Sequence, residues 1–156
     1  MYTGVFGTWS LRVFPVSTCL PDHSFRHGVL CISGDVHDLS EEQWEIVQRG
    51  TDFYKKVTSV IANGITVRSG PFQKSNRALY GYQATVRYAS DNRALAIVHF
   101  FEEKKSGEVS VPIAEGYRVS DIYETGDHRI AVTGDELNMS FKKPFDAVAV
   151  LLEKQG

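Results

Sequence analysis

Residues 28–61 combine one apolar strand, one acidic loop and one long helix, whereas the chain beyond them carries strand patterns only. The run Gly28–Ser33 is apolar enough for a strand buried on both faces, as in a parallel sheet. The loop after it contains Asp35, and a helix is predicted to begin after Leu39. This strand–loop–helix unit is typical of an α/β barrel, in which the loops after the strands carry the chemistry. One unit cannot close a barrel, so the sequence predicts the end of a larger barrel.

The helix is predicted to cover residues 41–62. Ser40 can cap the free amides of its first turn, and Gln43 can reach back to the Ser40 amide, which makes a capping box. Asn63 and Gly64 are predicted to end the helix, because both tolerate the left-handed conformation that closes a C-terminus. Apolar side chains recur at spacings of three and four and predict one packing face: Trp44, Val47, Phe53, Tyr54, Val57, Val60 and Ile61.

The composition excludes several classes of protein. Of the 156 residues 42% are apolar, which is enough for a core, and the net charge of −2 is spread over both signs. This pattern indicates neither a nucleic-acid groove nor a membrane-binding patch. No stretch is long and apolar enough to span a bilayer, and the first residues lack the pattern of a signal peptide. We therefore expect a cytoplasmic protein with reduced cysteines.

No motif for a metal or a cofactor is found. Cys19 and Cys31 have neither CxxC spacing nor the density of a disulfide scaffold. Together with His23 and His27 they lack the spacing of zinc ligands. Phosphate-binding loops, nucleophile elbows and Cys–His nucleophile pairs are also missing from the sequence. We predict no metal and no cofactor.

Beyond Gly64 the apolar period becomes that of strands. Glycines punctuate the segments at intervals of roughly 8–12 residues, which is typical of an antiparallel sandwich. The predicted strands are residues 80–88, 94–101, 108–113, 117–123, 129–133, 136–141 and 145–152. The predicted fold class is therefore α+β overall. A short β–α remnant of a (β/α)8 barrel in residues 1–63 is followed by an antiparallel β-sandwich domain in residues 64–156, with the boundary near residues 63–71.

Two groups of residues resemble a known family. Residues 31–35, 39–44 and 53–55 resemble the last barrel strand, its active-site loop and the last barrel helix of α-galactosidase-like glycoside hydrolases of families 27 and 36. The runs 116–123 and 147–152 are similar to the terminal sandwich strands of that family. The resemblance covers residues 28–153. It implies a parent enzyme that hydrolyses O-glycosyl bonds and binds carbohydrate through its barrel.

The same resemblance limits what this chain can do alone. In that family the nucleophile and the acid/base are aspartates at the ends of earlier barrel strands, which this chain lacks. Retaining hydrolysis needs two carboxyl groups about 5–5.5 Å apart, so we predict no catalytic residue here. The resemblance gives Asp35 a substrate-contact role, and His37 and Trp9 are candidates for the same sugar pocket. Their alternatives are a turn aspartate, a solvated histidine and a core tryptophan.

Two functions are therefore open. The first is the C-terminal part of a glycoside hydrolase, inactive alone, in which Gly28–Ser33 needs a strand partner and drives self-association if it finds none. The second is a stand-alone β-sandwich module that binds carbohydrate or protein. Tyr80, Tyr82 and Tyr88 share one parity on a strand and are its candidate binding face. Side chains that share one parity on a strand more often face a core or a packed edge. A fragment should leave the apolar face of the helix uncovered, whereas a module should bury it.

Overall fold

The structure, a computed structural model, describes residues 39–71, 80–101, 107–143 and 145–155. Within these ranges it contains one helix and eight strands: α1 (Glu41–Asn63), β1 (Ile65–Ser69), β2 (Tyr82–Tyr88), β3 (Arg93–Phe100), β4 (Gly107–Pro112), β5 (Tyr117–Tyr123), β6 (Arg129–Thr133), β7 (Glu136–Phe141) and β8 (Asp146–Lys154). All their pairings are antiparallel. The predicted α+β class is confirmed. The predicted barrel strand, Gly28–Ser33, lies outside the described residues, so a barrel remnant is not shown.

The strands form two sheets. One has five strands in the order β1-β2-β3-β8-β5, and the other has three in the order β4-β7-β6. β8 thus lies between β3 and β5, and it pairs with β3 along the whole length of that strand, from Arg93 to Phe100. Such a central strand should be apolar on both faces, and five consecutive residues of β8, Val148–Leu152, are buried.

The main core fills the space between the two sheets. Phe100 of β3 stacks on Phe141 of β7 with ring centroids 5.0 Å apart. Each fully buried aliphatic or aromatic side chain contributes roughly 1.5–3 kcal/mol. The largest fully buried side chains are Phe141, Leu137, Leu152, Val57, Val60, Val98, Val111 and Val150. All of them except Val57 and Val60, which belong to α1, lie on strands of the two sheets.

Helix α1 begins as predicted and ends differently. The Gln43 amide donates to Ser40 Oγ at 3.3 Å and the Ser40 amide donates to Gln43 Oε1 at 2.9 Å, so the capping box is confirmed. Gly64 has φ −80° and ψ 161°, which is extended backbone, and the predicted left-handed end is wrong. The helix runs directly into β1, a strand that the sequence did not predict. Glycine is needed at residue 64 for space, because a Cβ atom would lie 2.6 Å from both Arg87 Cγ and the Val60 carbonyl oxygen.

The apolar stripe of α1 packs on the outer face of the five-stranded sheet. This second core consists of Phe53, Val57, Val60, Leu95, Tyr123, Ala149 and Leu151, with Ile61, Ala89 and Ile97 partly buried against it. Phe53 and Tyr123 have ring centroids 5.9 Å apart. Trp44, which the sequence placed on the apolar stripe, is 40% exposed. Helix and sandwich therefore share a continuous apolar interface. No helix among the described residues is long and apolar enough to cross a bilayer.

Polar contacts fix the middle of α1 to the sheet. Arg93, at the start of β3, donates to the Lys56 carbonyl at 3.2 Å and to Ser59 Oγ at 2.6 Å. Its guanidinium is held by Asp91, whose carboxylate is 2.5 Å away. Lys56 Nζ lies 2.5 Å from Asp121 Oδ2 on β5. These contacts are mostly exposed, so they orient the helix more than they stabilise it.

Arg87 of β2 closes the C-terminal end of α1. Its Nε donates to the Val60 carbonyl at 3.0 Å, and Nη1 donates to Thr66 Oγ1 at 3.0 Å. The last turn of α1, all of whose residues are described, contains no basic side chain. A positive charge at a helix C-terminus interacts favourably with the helix dipole. Arg87 of the sheet therefore supplies the positive charge that the last turn of α1 lacks.

Candidate functional site

The residues predicted to bind substrate lie outside the described residues. Asp35, His37 and Trp9 precede the first described residue, Leu39. The sugar pocket that the resemblance implies therefore stays a prediction. Cys19, Cys31, His23 and His27 also fall in that segment.

Two of the three tyrosines of the alternative binding face make structural contacts instead of forming an exposed surface. Tyr82 and Tyr88 are half-buried and pack against the core between the sheets. The Tyr82 hydroxyl donates to the Ser110 carbonyl at 3.1 Å, and the Ala114 amide donates to the Tyr88 hydroxyl at 2.9 Å. β4 is an edge strand of the three-stranded sheet. The two hydroxyls therefore bond a backbone carbonyl of β4 and a backbone amide two residues beyond its end, which links the five-stranded sheet to this part of the chain.

Tyr80 differs from these two side chains in its exposure. It precedes β2 and is 44% exposed, whereas the Tyr88 ring packs edge-on against Tyr117 with centroids 5.6 Å apart. The three tyrosines therefore do not make one exposed ladder. Core packing, the more common meaning of their shared parity, is confirmed for Tyr82 and Tyr88.

The densest group of titratable side chains is centred on His128, in the connection between β5 and β6. The imidazole is 1% exposed. Its Nε2 lies 3.1 Å from Oδ2 of Asp146, the first residue of β8. Its Nδ1 is hydrogen-bonded to Oε2 of Glu124. The ring packs edge-on against Phe141 of β7 with centroids 5.0 Å apart. We call Glu124, His128 and Asp146 the His128 cluster.

The connection folds over the ring because of Gly126. A Cβ atom there would lie 2.7 Å from His128 Cε1 and 3.1 Å from Asp146 Oδ2. Any larger residue would push the imidazole or the carboxylate out of place. Asp127 forms an exposed ion pair with Lys142 on the connection between β7 and β8. The hydrogen bonds of the cluster therefore join two parts of the chain, the β5–β6 connection and β8, and the ring contacts a third, β7.

The electrostatics of the cluster favour a protonated ring. The hydrogen bond with Asp146 raises the pKa of His128 above its ordinary value; burial opposes this, and the bond with Glu124 supports it. Burial acts to raise the pKa of Asp146, but hydrogen bonds from His128 and from the Ala147 amide outweigh it, so the pKa is lowered. Both ring nitrogens can donate together only in the imidazolium form. In that form the ring is a cation between two carboxylates.

This arrangement is unsuited to catalysis or metal binding. The imidazole fills the space between Glu124 and Asp146, so no substrate atom can lie between the two carboxylates as hydrolysis requires. Both ring nitrogens are engaged, which leaves neither for a metal ion or a nucleophile. Across the described ranges, no group of three or more His, Cys, Asp or Glu residues could hold a metal.

Sequence reasoning missed this cluster. Glu124 stands four residues before His128 around a glycine, which is a weak local signal. Asp146 follows 18 residues after His128, and only the pairing of β8 into the centre of the large sheet brings it near.

A surface groove opens between the edges of the two sheets. Its volume is about 580 Å³, and its walls include Tyr117, Arg118 and Val119 of β5 and Ile130 and Val132 of β6. β5 and β6 are the edge strands of their sheets within the described residues. The partly buried Val119, Ile130 and Val132 pack against the main core. The groove is thus an open recess, more polar than apolar, between two backbone edges.

Comparisons with known proteins give a distant structural likeness and no family. No protein-family model matches the chain, and no curated protein matches it. Among solved structures, the crystal structure of an α-amylase from H.orenii is similar to it with a TM-score of 0.44 and 15% sequence identity. The similarity covers 71% of this chain and 20% of the α-amylase chain, so this chain spans about a fifth of that protein's length. A likeness of this size assigns no family.

Proposed function

We propose that residues 39–155 are a non-catalytic accessory domain of a glycoside hydrolase. The observation that supports a self-contained domain is the burial of the apolar stripe of α1 on the five-stranded sheet, through Phe53, Val57 and Val60, because the end of a barrel was expected to leave that face uncovered. Helix and sandwich then form one folded unit, which follows a catalytic region in the parent enzyme. The assignment to a glycoside hydrolase comes from the sequence resemblance, and the same resemblance proposes the α-galactosidase type.

The packing of α1 refines where the domain begins. A barrel helix buries its apolar face against barrel strands, but here Val47, Phe53 and Val57 are already buried and the first turn carries Glu41 and Glu42. We therefore place α1 in the sandwich domain rather than at the end of the barrel. On this proposal the boundary lies before Leu39.

The two carboxylates of the His128 cluster do not form a catalytic acid pair, which agrees with a non-catalytic role. Glu124 and Asp146 are both bonded to His128, and the ring separates them. General acid–base catalysis needs a carboxyl group that can reach the glycosidic oxygen, and retaining chemistry needs a second carboxyl on the opposite side. The purified 156-residue chain should therefore not hydrolyse aryl α-galactosides or aryl α-glucosides above the uncatalysed rate.

Two measurements test the proposal. An antibody raised against this chain should detect, in its native source, a polypeptide much larger than 17.5 kDa that co-purifies with glycosidase activity. The purified chain should be inactive, with Asp35→Asn as a matched variant. A native polypeptide of 17.5 kDa without associated glycosidase activity would contradict the accessory role, and turnover abolished by Asp35→Asn would contradict the lack of catalysis.

The second candidate is a stand-alone interaction module, and two observations favour it. The apolar face of α1 is covered, as expected for a complete module, and the groove between β5 and β6 offers a recess of about 580 Å³. Affinity electrophoresis through gels containing galactomannan or starch tests for glycan binding. Retardation that Arg118→Ala removes and Arg49→Ala, on α1, leaves unchanged would favour this candidate. Unretarded migration in both gels would count against glycan as its ligand.

A further inference from the structure

We propose that the His128 cluster is a proton-dependent clasp. In its protonated form the imidazole holds the β5–β6 connection to the start of β8, and loss of the proton releases this end of the sandwich. The inference concerns the folded domain itself and is independent of whether the domain belongs to a glycosidase.

Geometry gives the clasp its dependence on the proton. A neutral imidazole has one N–H and one lone pair. With Nδ1 against Glu124 and Nε2 against Asp146, a neutral ring must point its lone pair at one of the two carboxylates. The side chain of His128 is 1% exposed, and those of Glu124 and Asp146 are 28% and 15% exposed, so water screens that repulsion only in part. Deprotonation therefore replaces an attractive contact with a repulsive one inside the domain.

The connection held by the clasp joins the two strands, β5 and β6, that line the groove. Glu124 and His128 stand at the two ends of the link from Tyr123, the last residue of β5, to Arg129, the first of β6. Few other contacts join β5 to β6, which belong to different sheets. The ring also contacts Phe141 of β7, so the cluster links the two sheets at this end. When the clasp opens, we expect the two edges of the groove to separate.

The neighbouring charges determine the pH range. Glu124 and Asp146 face the ring nitrogens; Asp127, paired with Lys142, is next in sequence, and Lys143 lies near Asp146. The pKa of His128 is raised, so its stabilisation is complete below its ordinary value of about 6.5 and is lost as the pH rises through the folded-state value. The pKa of Asp146 is lowered, so its contribution exists above about pH 4 and is lost as the pH falls through the folded-state value. The clasp is strongest between these limits.

The test follows thermal unfolding of the full chain from pH 6.5 to pH 9. We expect wild type to exceed H128Q in Tm by at least ~3 °C at pH 6.5 and by less than ~1 °C at pH 9. H99Q is the matched control. Burial lowers the pKa of His99, so this side chain loses little charge across the range and the Tm gap of H99Q should change much less with pH than that of H128Q. A gap between wild type and H128Q that does not change with pH would overturn the proposal.

A second measurement needs only a folded wild-type chain. The NMR signal of His128 Hε1 should titrate with a midpoint above about 6.5, and the D146N variant should move that midpoint down. Hydrogen-exchange protection of the amides at residues 124–129, corrected for the intrinsic pH effect, should fall at least ~10-fold between pH 6.5 and pH 9. A midpoint at or below the ordinary value, or protection that is independent of pH, would refute the clasp even if H128Q failed to fold.

Discussion

Replacing Arg87 with methionine should destabilise the domain by about 1–2 kcal/mol. Methionine keeps most of the aliphatic stem beside Gly64 but removes the guanidinium that reaches the Val60 carbonyl and Thr66. A hydrogen bond from a charged group contributes about 1.5–3 kcal/mol when its partner would otherwise be left unpaired. Here the Val60 carbonyl also accepts from the Gly64 amide at 2.9 Å, which reduces the loss. The charge at the helix C-terminus adds about 0.3–1 kcal/mol.

Urea unfolding followed by circular dichroism measures this difference. Arg87→Lys should lose less than Arg87→Met, because the ammonium keeps the charge near the helix end without the two-pronged contact. Arg118→Met, on an exposed position of β5, is the matched control and should change the free energy of unfolding by less than about 0.5 kcal/mol. If Arg87→Met lay within about 0.5 kcal/mol of wild type, or matched Arg118→Met, the closing of α1 by the sheet would be refuted.

Two further predictions concern the sheets. Tyr82→Phe and Tyr88→Phe should each cost about 0.5–1.5 kcal/mol in urea unfolding, because the Ser110 carbonyl and the Ala114 amide each lose a hydrogen bond; a double variant of unchanged stability would show that these bonds do not stabilise the contact between the two sheets. Leu137→Ala, at a fully buried position of β7, should cost about 2–5 kcal/mol, whereas Val67→Ala, at an exposed position of β1, should cost less than about 0.5 kcal/mol; equal losses would contradict the assignment of the core.

Much of the fold could be predicted because it depends on local patterns. The capping box of Ser40 and Gln43 involves residues three apart, so the start of α1 was visible in sequence. β5, β6 and β7 have the predicted bounds, since alternation and turn glycines determine both ends of each. Pro112 is the last residue of β4, an edge strand among the described residues, and edges and strand ends are where proline is tolerated.

The missed features depend on contacts between distant parts of the chain. Gly64 indicated a left-handed helix end, but the structure requires glycine there because Arg87 approaches closely. Because of this wrong interpretation, β1 was not predicted. β1 is an exception, because Ile65, Thr66 and Val67 are β-branched and the run alternates apolar and polar residues, so this strand was visible in the sequence. The His128 cluster depends on Asp146, whose position follows from sheet order rather than from spacing.

The position of β8 in the large sheet affects how the domain can form during synthesis. β3 and β5 are neighbours of β8 but not of each other, so the ribosome must produce Asp146–Lys154 before the two halves of the sheet can join. Until then the nascent chain carries β3 with one unpaired edge, and that strand is apolar over most of its length. Such an edge is a target for aggregation and for chaperones. Loss of β8 by premature termination should therefore yield an insoluble polypeptide rather than a smaller folded domain.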